Sequence, residues 1–264
     1  LNAIDGLDRI KFVTNYPRDM TTDLIHAVRD LPKVSHYIHV PAQHGSDDVL
    51  KRMKRGYTIG QYMEMLGRLR EAIPYAAVSS DFIVGFCGET DEEFALSMEL
   101  VKTVKFKNSF IFKYSPRPGT KAFDRQADDV PESVKKERNR LLQEAQAGAS
   151  LEGNRRFVGS RQQVLVEGLS TRDERQAVDP GPDGLAQLTG RTMCDRIVVF
   201  DAPLRLIGRL VDVEITSAGA WSLAGDVADD LANAIPLDHL EQSGPSVHQI
   251  EVPAHAAPQG TQKA

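Results

Sequence analysis

The sequence is nearly without cysteine. Cys87 and Cys194 are the only two, far apart and in segments of different character, which argues against a disulfide framework and for a reducing compartment. Two thiols are also too few to hold a structural zinc or an iron–sulfur cluster on thiolates of this chain alone. No apolar run approaches the roughly 20 residues that a membrane-spanning helix needs. The opening LNAIDGLDRIKF has neither the basic nor the apolar region of a signal peptide, so a cytoplasmic protein with no membrane association is expected. No internal repeat is found. A strong charge bias is missing as well: the net charge is −5, and residues 229–264, with five acids and one Lys, carry −4 of it. The body of the chain is close to balanced, which leaves room for a basic face and an anionic partner. What remains is 264 residues with 41% hydrophobic and 26% charged side chains, enough for one large or two ordinary globular domains.

Residues 1 to about 125 alternate strand and helix signals. Strands are predicted at Arg9–Asn15, at residues 37–40, at Ala76–Phe86 and at Ser109–Tyr114. Helices are predicted at Asp23–Leu31 and over about 47–55. A third helix follows Thr58, which forms a capping box with Gln61; Tyr62, Leu66, Leu69 and Ile73 share one of its faces. Thr90 and Glu93 form a second capping box, opening a helix lined by Phe94, Met98, Val101 and Val104. Four strands joined by helical crossovers imply a parallel sheet. Their ends, Tyr16-Pro17, Gln43-His44-Gly45, Gly85 through Glu89 and Lys113-Tyr114-Ser115, suit the ligand-binding rim of a barrel, and four βα units make only part of one.

Pro131 opens a polar helix through about 148, packed by Val134, Arg138, Leu141, Leu142 and Ala145, that reads as a bridge between domains. From Arg161 the period changes to two in short runs (RQQVLVEG, QLTGRT, RIVVF, LIGRLVDVEIT, AWSLAGDV) separated by turn residues. That is the signature of a small closed, antiparallel β-barrel of OB or SH3-like size. Thr171–Ala186 reads as a long hairpin loop, and residues 229–264 as a disordered acidic tail. The fold class expected is therefore α/β plus all-β. The predicted divisions are a partial barrel over 1–130, a linker helix over 131–155, a β-barrel over 156–228 and the tail.

The richest chemistry lies in HVPAQHGSDDVLKRM, from His39 to Met53. A short apolar strand stops at Pro41 and gives way to the polar turn Gln43-His44-Gly45-Ser46. A helix then begins, with Ser46 as its cap and Asp47-Asp48 in its first turn. The turn bunches an amide, an imidazole and a hydroxyl, and Gly45 would let a ligand approach the backbone.

Three strings, HVPAQHGSDDVLKRMKRGYT, SSDFIVGFCGETDEEF and FIFKYSPRPGTKA, resemble the second half of the radical S-adenosylmethionine domain of the methylthiotransferases. The β-rich segment is similar to the RNA-binding TRAM domain that follows it. The resemblance covers roughly residues 7–228. The FKYSPRPGT string and the QLTGRT…AWSLAGDV ending resemble the MiaB type, which adds a methylthio group to isopentenylated adenosine beside the tRNA anticodon. Gln43-His44 departs towards the branch that modifies ribosomal protein S12. That branch, the threonylcarbamoyladenosine-tRNA branch, and a non-catalytic RNA-binding module stay as alternatives.

The resemblance implies S-adenosylmethionine and two 4Fe-4S clusters, a tRNA anticodon arm as partner, a flavodoxin- or ferredoxin-type electron donor, and a monomer. Reductive cleavage of the cofactor would give a radical that takes hydrogen from carbon 2 of the adenine before sulfur is inserted. The family's three-cysteine loop and second cluster ligands do not occur in this sequence, so no residue is assigned as a metal ligand and the chain alone is expected to be inactive. The cofactor is expected to touch Gln43, His44, Gly45, Ser80, Asp81, Gly85, Glu89 and Tyr114. His44 could equally be structural. Ser80 and Asp81 could be inward polar groups satisfied within the barrel, and Glu89 a helix-start acid. Cys87, where the family usually has Pro, reads as a small buried hydrophobe. Lys113 and Arg117 could hold the cofactor's carboxylate or an RNA phosphate, and Arg161, Arg191, Arg196 and Arg209 are candidates for RNA phosphate contacts. Phe200 is a possible stacking platform, although its spacing favours the core.

Overall fold

The computed structural model describes residues 1–13, 15–176 and 184–228. The chain begins with a 3-10 turn, Pro17–Asp19, and runs α1 (Thr22–Asp30), β1 (Tyr37–His39), α2 (Asp47–Arg52), α3 (Ile59–Ala72), β2 (Ala77–Val84), α4 (Asp91–Val104) and β3 (Asn108–Lys113). The starts are written in local chemistry. Thr21 caps α1, and both capping boxes form, Thr58 with Gln61 on α3 and Thr90 with Glu93 on α4. Each places apolar residues on the side facing the sheet: Tyr62, Met65, Leu66 and Leu69 from α3, and Phe94, Leu100, Val101 and Val104 from α4, are all buried.

The sheet is parallel, in the order β1-β2-β3. Ile38, Val40, Val78, Phe82 and Val84 enter the core shared with the helices. Strand alternation turns Tyr37, His39, Ser79, Asp81 and Ile83 to the opposite face, where Asp81 and Ile83 are paired in register with Phe110 and Phe112. The expectation of a first strand over Arg9–Asn15 is corrected. Among its described residues that segment makes a single bridge, Ile10 to Val34, and one further backbone bond from Asn15 N–H to the His39 carbonyl. Its side chains are committed elsewhere: the Arg9 guanidinium donates to the Arg191 carbonyl, and Lys11 reaches Asp195.

After α5 (Lys121–Arg125), α6 runs from Glu132 to Arg155, a turn or two longer than predicted. It buries Arg138, Leu142, Gln146 and Ala149 against the sheet layer, and Asn154 further along. Then come β4 (Arg161–Leu169), α7 (Thr171–Gln176), β5 (Leu185–Thr192), β6 (Ile197–Pro203), β7 (Leu210–Ala218) and β8 (Ser222–Val227), with a 3-10 turn at Leu204–Leu206. The strands close into a barrel in the order β4-β5-β6-β8-β7. It departs from the purely antiparallel expectation at one seam, where Ile197–Val199 of β6 runs parallel to Ser222–Ala224 of β8. Phe200 is 2% exposed and belongs to the barrel core with Val164, Leu188, Val213 and Leu223. The predicted hairpin loop over Thr171–Ala186 is corrected at both ends: it opens with α7, held by Asp173, whose carboxylate accepts from the Gln187 N–H, and Leu185 and Ala186 belong to β5. Residues 177–183 of that loop, and the predicted tail over 229–264, lie outside the described residues.

The barrel is docked on the amino end of the sheet by the β5–β6 turn. The Met193 carbonyl accepts from His36 N–H and Ser35 Oγ, and Cys194 packs with Tyr37 and Ala77. Asp195, buried and in the left-handed region at φ 62°, sits among Lys11, Lys107 at 3.0 Å and Arg191 at 3.1 Å. Burial alone would raise its pKa, but the three cations outweigh it and hold the carboxyl below the ordinary range. The carboxyl ends of the strands are left open.

Candidate active site at the carboxyl edge of the sheet

A cavity of about 630 Å³ lies at that open edge. Its walls come from the exit of β1 (Gln43), from β2 (Asp81, Ile83, and Phe86 just beyond), from β3 (Phe112, Lys113), from the end of α2 (Arg52 to Arg55) and from the loop between Tyr114 and Ala122. This is the position that a parallel sheet offers to ligands.

The chain is steered into this shape at β1. The Tyr62 hydroxyl donates to the Val40 carbonyl at 2.8 Å, and the Tyr57 hydroxyl contacts the carbonyls of Pro41 and Ala42 at 3.0 Å each. Burial pushes both phenols well above their usual range, so they remain neutral donors. Gln43 is then carried into the left-handed region at φ 66°, a conformation few non-glycine residues adopt. It is held there by two backbone bonds with β2, its N–H to the Asp81 carbonyl and its own carbonyl from Ile83 N–H. Such strain persists only where the surroundings enforce it, and here it brings Gln43 to the cavity wall.

Of the eight residues expected at the cofactor, Gln43, Asp81 and Tyr114 line the cavity. Asp81 Oδ1 lies 3.4 Å from His39 Nε2; the other His39 ring nitrogen meets Ser79 Oγ, which also donates to the Tyr37 hydroxyl. Tyr114 stacks edge-on against Phe86, and burial, reinforced by the neighbouring Cys87 thiol, pushes its phenol up to about 12.

The other five do not line it, each for a visible reason. Gly45 is required by α4: a Cβ there would lie 2.4 Å from the Leu96 backbone, and its N–H donates to Ser97 Oγ. Gly85, at φ 71°, gives way to the Lys135 side chain. Ser80 is buried under the turn, its hydroxyl accepting from Ala42 N–H. His44 is fully buried, with Nδ1 accepting from Ser46 N–H and Nε2 lying 3.6 Å from Glu89 Oε1. Glu89 is equally enclosed. It accepts from the Gly85 and Phe86 N–H groups and faces Arg138 Nη1 at 3.4 Å. His44, Glu89 and Arg138 thus tie the Gln43 turn, the loop after β2 and α6 together behind the cavity. Cys87 is buried with Val49 and Phe86, as its small apolar character suggested.

The expected phosphate contacts divide. Lys113 and Arg117 line the cavity, Lys113 in an ion pair with Glu132. Arg161 pairs with Asp212 at 3.3 Å, Arg191 with Glu167 and Asp195, and Arg196 with Asn154 while its guanidinium covers the Phe157 ring at 4.3 Å. Arg209, partly buried, has no side-chain hydrogen bond or ion pair among the described residues. Arg191 and Arg196 are at the seam between the sheet and the barrel.

Sequence reasoning missed Arg52, Met53, Lys54, Arg55, Phe112 and Lys121. The signal was present in the run KRMKR, with four cations in five residues, which read as the tail of a helix. Arg52 grips Glu93 with both nitrogens, at 2.9 and 2.7 Å, and holds that carboxyl below the usual carboxylate range.

The donor set suits a nucleoside bearing an amino acid: an amide and a carboxylate for hydroxyls and an ammonium, beside the apolar Ile83 and Phe86. It does not suit an iron–sulfur cluster. Among the described residues no three His, Cys, Asp or Glu side chains could hold a metal ion, and both thiols are buried, one beside the cavity and one at the barrel seam. No described helix is long and apolar enough to cross a membrane.

The Radical SAM superfamily model matches residues 1–101, and the TRAM domain model matches residues 155–228. The tRNA-2-methylthio-N(6)-dimethylallyladenosine synthase of Rhodopirellula baltica is 56% identical over 227 residues, covering 86% of this chain and 47% of that protein. The synthase of the same description from Acidovorax sp. is 45% identical, covering 85% and 47%. That from Moorella thermoacetica is 42% identical, covering 87% and 49%. The chain therefore spans about half the length of the curated relatives it matches.

Proposed function

We propose that this chain, which carries the radical SAM and TRAM segments of a methylthiotransferase, is the carboxyl-terminal half of an enzyme that adds a methylthio group to N6-dimethylallyladenosine in tRNA. The observation that carries this reading is the identity to the Rhodopirellula baltica synthase, 56% sustained over 227 residues through both segments. The geometry supplies roles. The cofactor, when bound, supplies the chemistry that takes hydrogen from an unactivated carbon. Gln43 and Asp81 would receive its ribose hydroxyls and ammonium, the amide as donor and acceptor and the carboxylate as acceptor. Ile83 and Phe86 would shield its adenine from water, and Tyr114, neutral at physiological pH, offers a hydroxyl that can donate. The strained backbone at Gln43 pre-positions its amide, which reduces the ordering cost of binding. Among the described residues no set of side chains fits the clusters.

The test is a chimaera in which the carboxyl-terminal half of the Rhodopirellula baltica synthase is replaced by this chain, expressed in cells that make dimethylallyladenosine but lack the synthase. Mass spectrometry of digested tRNA is expected to show the 2-methylthio nucleoside. A soluble, cluster-loaded chimaera that leaves only dimethylallyladenosine would overturn the assignment.

A further inference from the structure

We infer that Lys54, Arg55, Arg117 and Lys121 form a clamp at the cavity for the phosphates flanking the target nucleotide, so that RNA is gripped at the sheet edge. This rests on the RNA-modifying reading above. The cavity lining holds six cationic side chains and one carboxylate, Asp81. Arg52 and Lys113 are neutralised by Glu93 and Glu132. Lys54, Arg55, Arg117 and Lys121 have no ion pair or side-chain hydrogen bond among the described residues, although cations just behind the rim do: Lys135 has Asp128 and Arg138 has Asp91. Lys54, Arg117 and Lys121 are exposed and Arg55 half-buried, yet all four converge on one hollow.

The cofactor alone cannot account for all four. S-adenosylmethionine carries a single carboxylate, so it brings one anionic group to a lining that holds four unpaired cations. A polyanion is attracted to it. An adenosine presented to a cavity must leave its stack, which puts the phosphates on either side of it against the outer lining. Phe112, 54% exposed on the same wall, offers a flat face for a neighbouring base.

The experiment uses the 264-residue chain and a fluorescent anticodon stem-loop carrying N6-dimethylallyladenosine, with anisotropy titrations from about 50 to 200 mM salt. Replacing Lys54, Arg55 and Arg117 together with Ala is expected to weaken binding more than about tenfold at low salt. It should also lower the slope of log affinity against log salt by about 2, near 0.7 for each lost single-strand phosphate contact. Arg55→Lys with Arg117→Lys keeps the charges and is expected to keep the slope. Wild-type chain that binds, with the triple variant matching its affinity and slope, overturns the clamp and leaves the RNA reading standing. Loss in the Lys variant as well, with a lowered melting temperature, overturns the clamp in favour of a structural role. Wild-type chain that binds no RNA even at low salt overturns both.

Discussion

Gly45→Ala should damage the fold strongly, although it adds only a single methyl group near the cavity. The new Cβ would stand 2.4 Å from both the carbonyl carbon and oxygen of Leu96 and 2.5 Å from Ser97 N, against the roughly 3.5 Å that such atoms need. The obstacle is the backbone of α4, which is anchored by the buried Phe94, Leu100 and Val101 and cannot swing aside like a side-chain tip. Overpacking of this kind costs about 1–3 kcal/mol. Stretching the buried bond from Gly45 N–H to Ser97 Oγ, 2.8 Å in the native turn, adds about 1 kcal/mol. For a chain of this size the total corresponds to a fall of roughly 5–15 °C in melting temperature. Differential scanning calorimetry reads it, with Gly67→Ala as the matched comparison. Gly67 lies on the exposed face of α3 with nothing within 4 Å of its added Cβ, so there the same change should stabilise by about 0.5–1 kcal/mol. A Gly45→Ala chain that melts with the wild type but no longer binds cofactor would refute the packing argument and restore Gly45 as a ligand contact.

Asp195→Asn should loosen the docking of the barrel, costing about 1–2 kcal/mol in urea unfolding at neutral pH, because three cations lose their shared acceptor. The Asp195 carboxyl titrates below its unfolded value, so this contribution is complete above about pH 4 and disappears as pH falls through the folded value. The gap between wild type and variant should close in that acid range, and a gap independent of pH would contradict the assignment. Arg138→Ala strands the enclosed Glu89 carboxylate and should cost about 3–5 kcal/mol, of which adding Glu89→Gln recovers part; strict additivity of the two in denaturant titrations would show that they do not interact.

What could be read from the sequence followed the range of the interactions. The capping boxes at Thr58 and Thr90 are four-residue chemistry and form as written. The alternation that placed Phe200 in a barrel core is equally local. The strand expected at Arg9–Asn15 failed because Arg9 and Lys11 spend their side chains on the distant β5–β6 turn, which no local pattern announces. Gly45 and Gly85 were rightly singled out as positions of close approach, but what approaches is α4 in one case and Lys135 in the other, partners about 50 residues away. Gln43 was found from its place after a strand, while the tyrosines that force its conformation, Tyr57 and Tyr62, gave no sign of that duty. The acids beside two of the barrel arginines, Asp212 by Arg161 and Glu167 by Arg191, are likewise supplied by neighbouring strands.

Central to all of this is that the hollow at the carboxyl edge of the sheet receives a nucleoside through Gln43 and Asp81. Titration calorimetry of S-adenosylmethionine into the isolated chain tests it most directly. Saturable binding is expected, weakened by about tenfold or more, near 1.4 kcal/mol, in both Gln43→Ala and Asp81→Ala. Heat of binding that neither substitution reduces would contradict it.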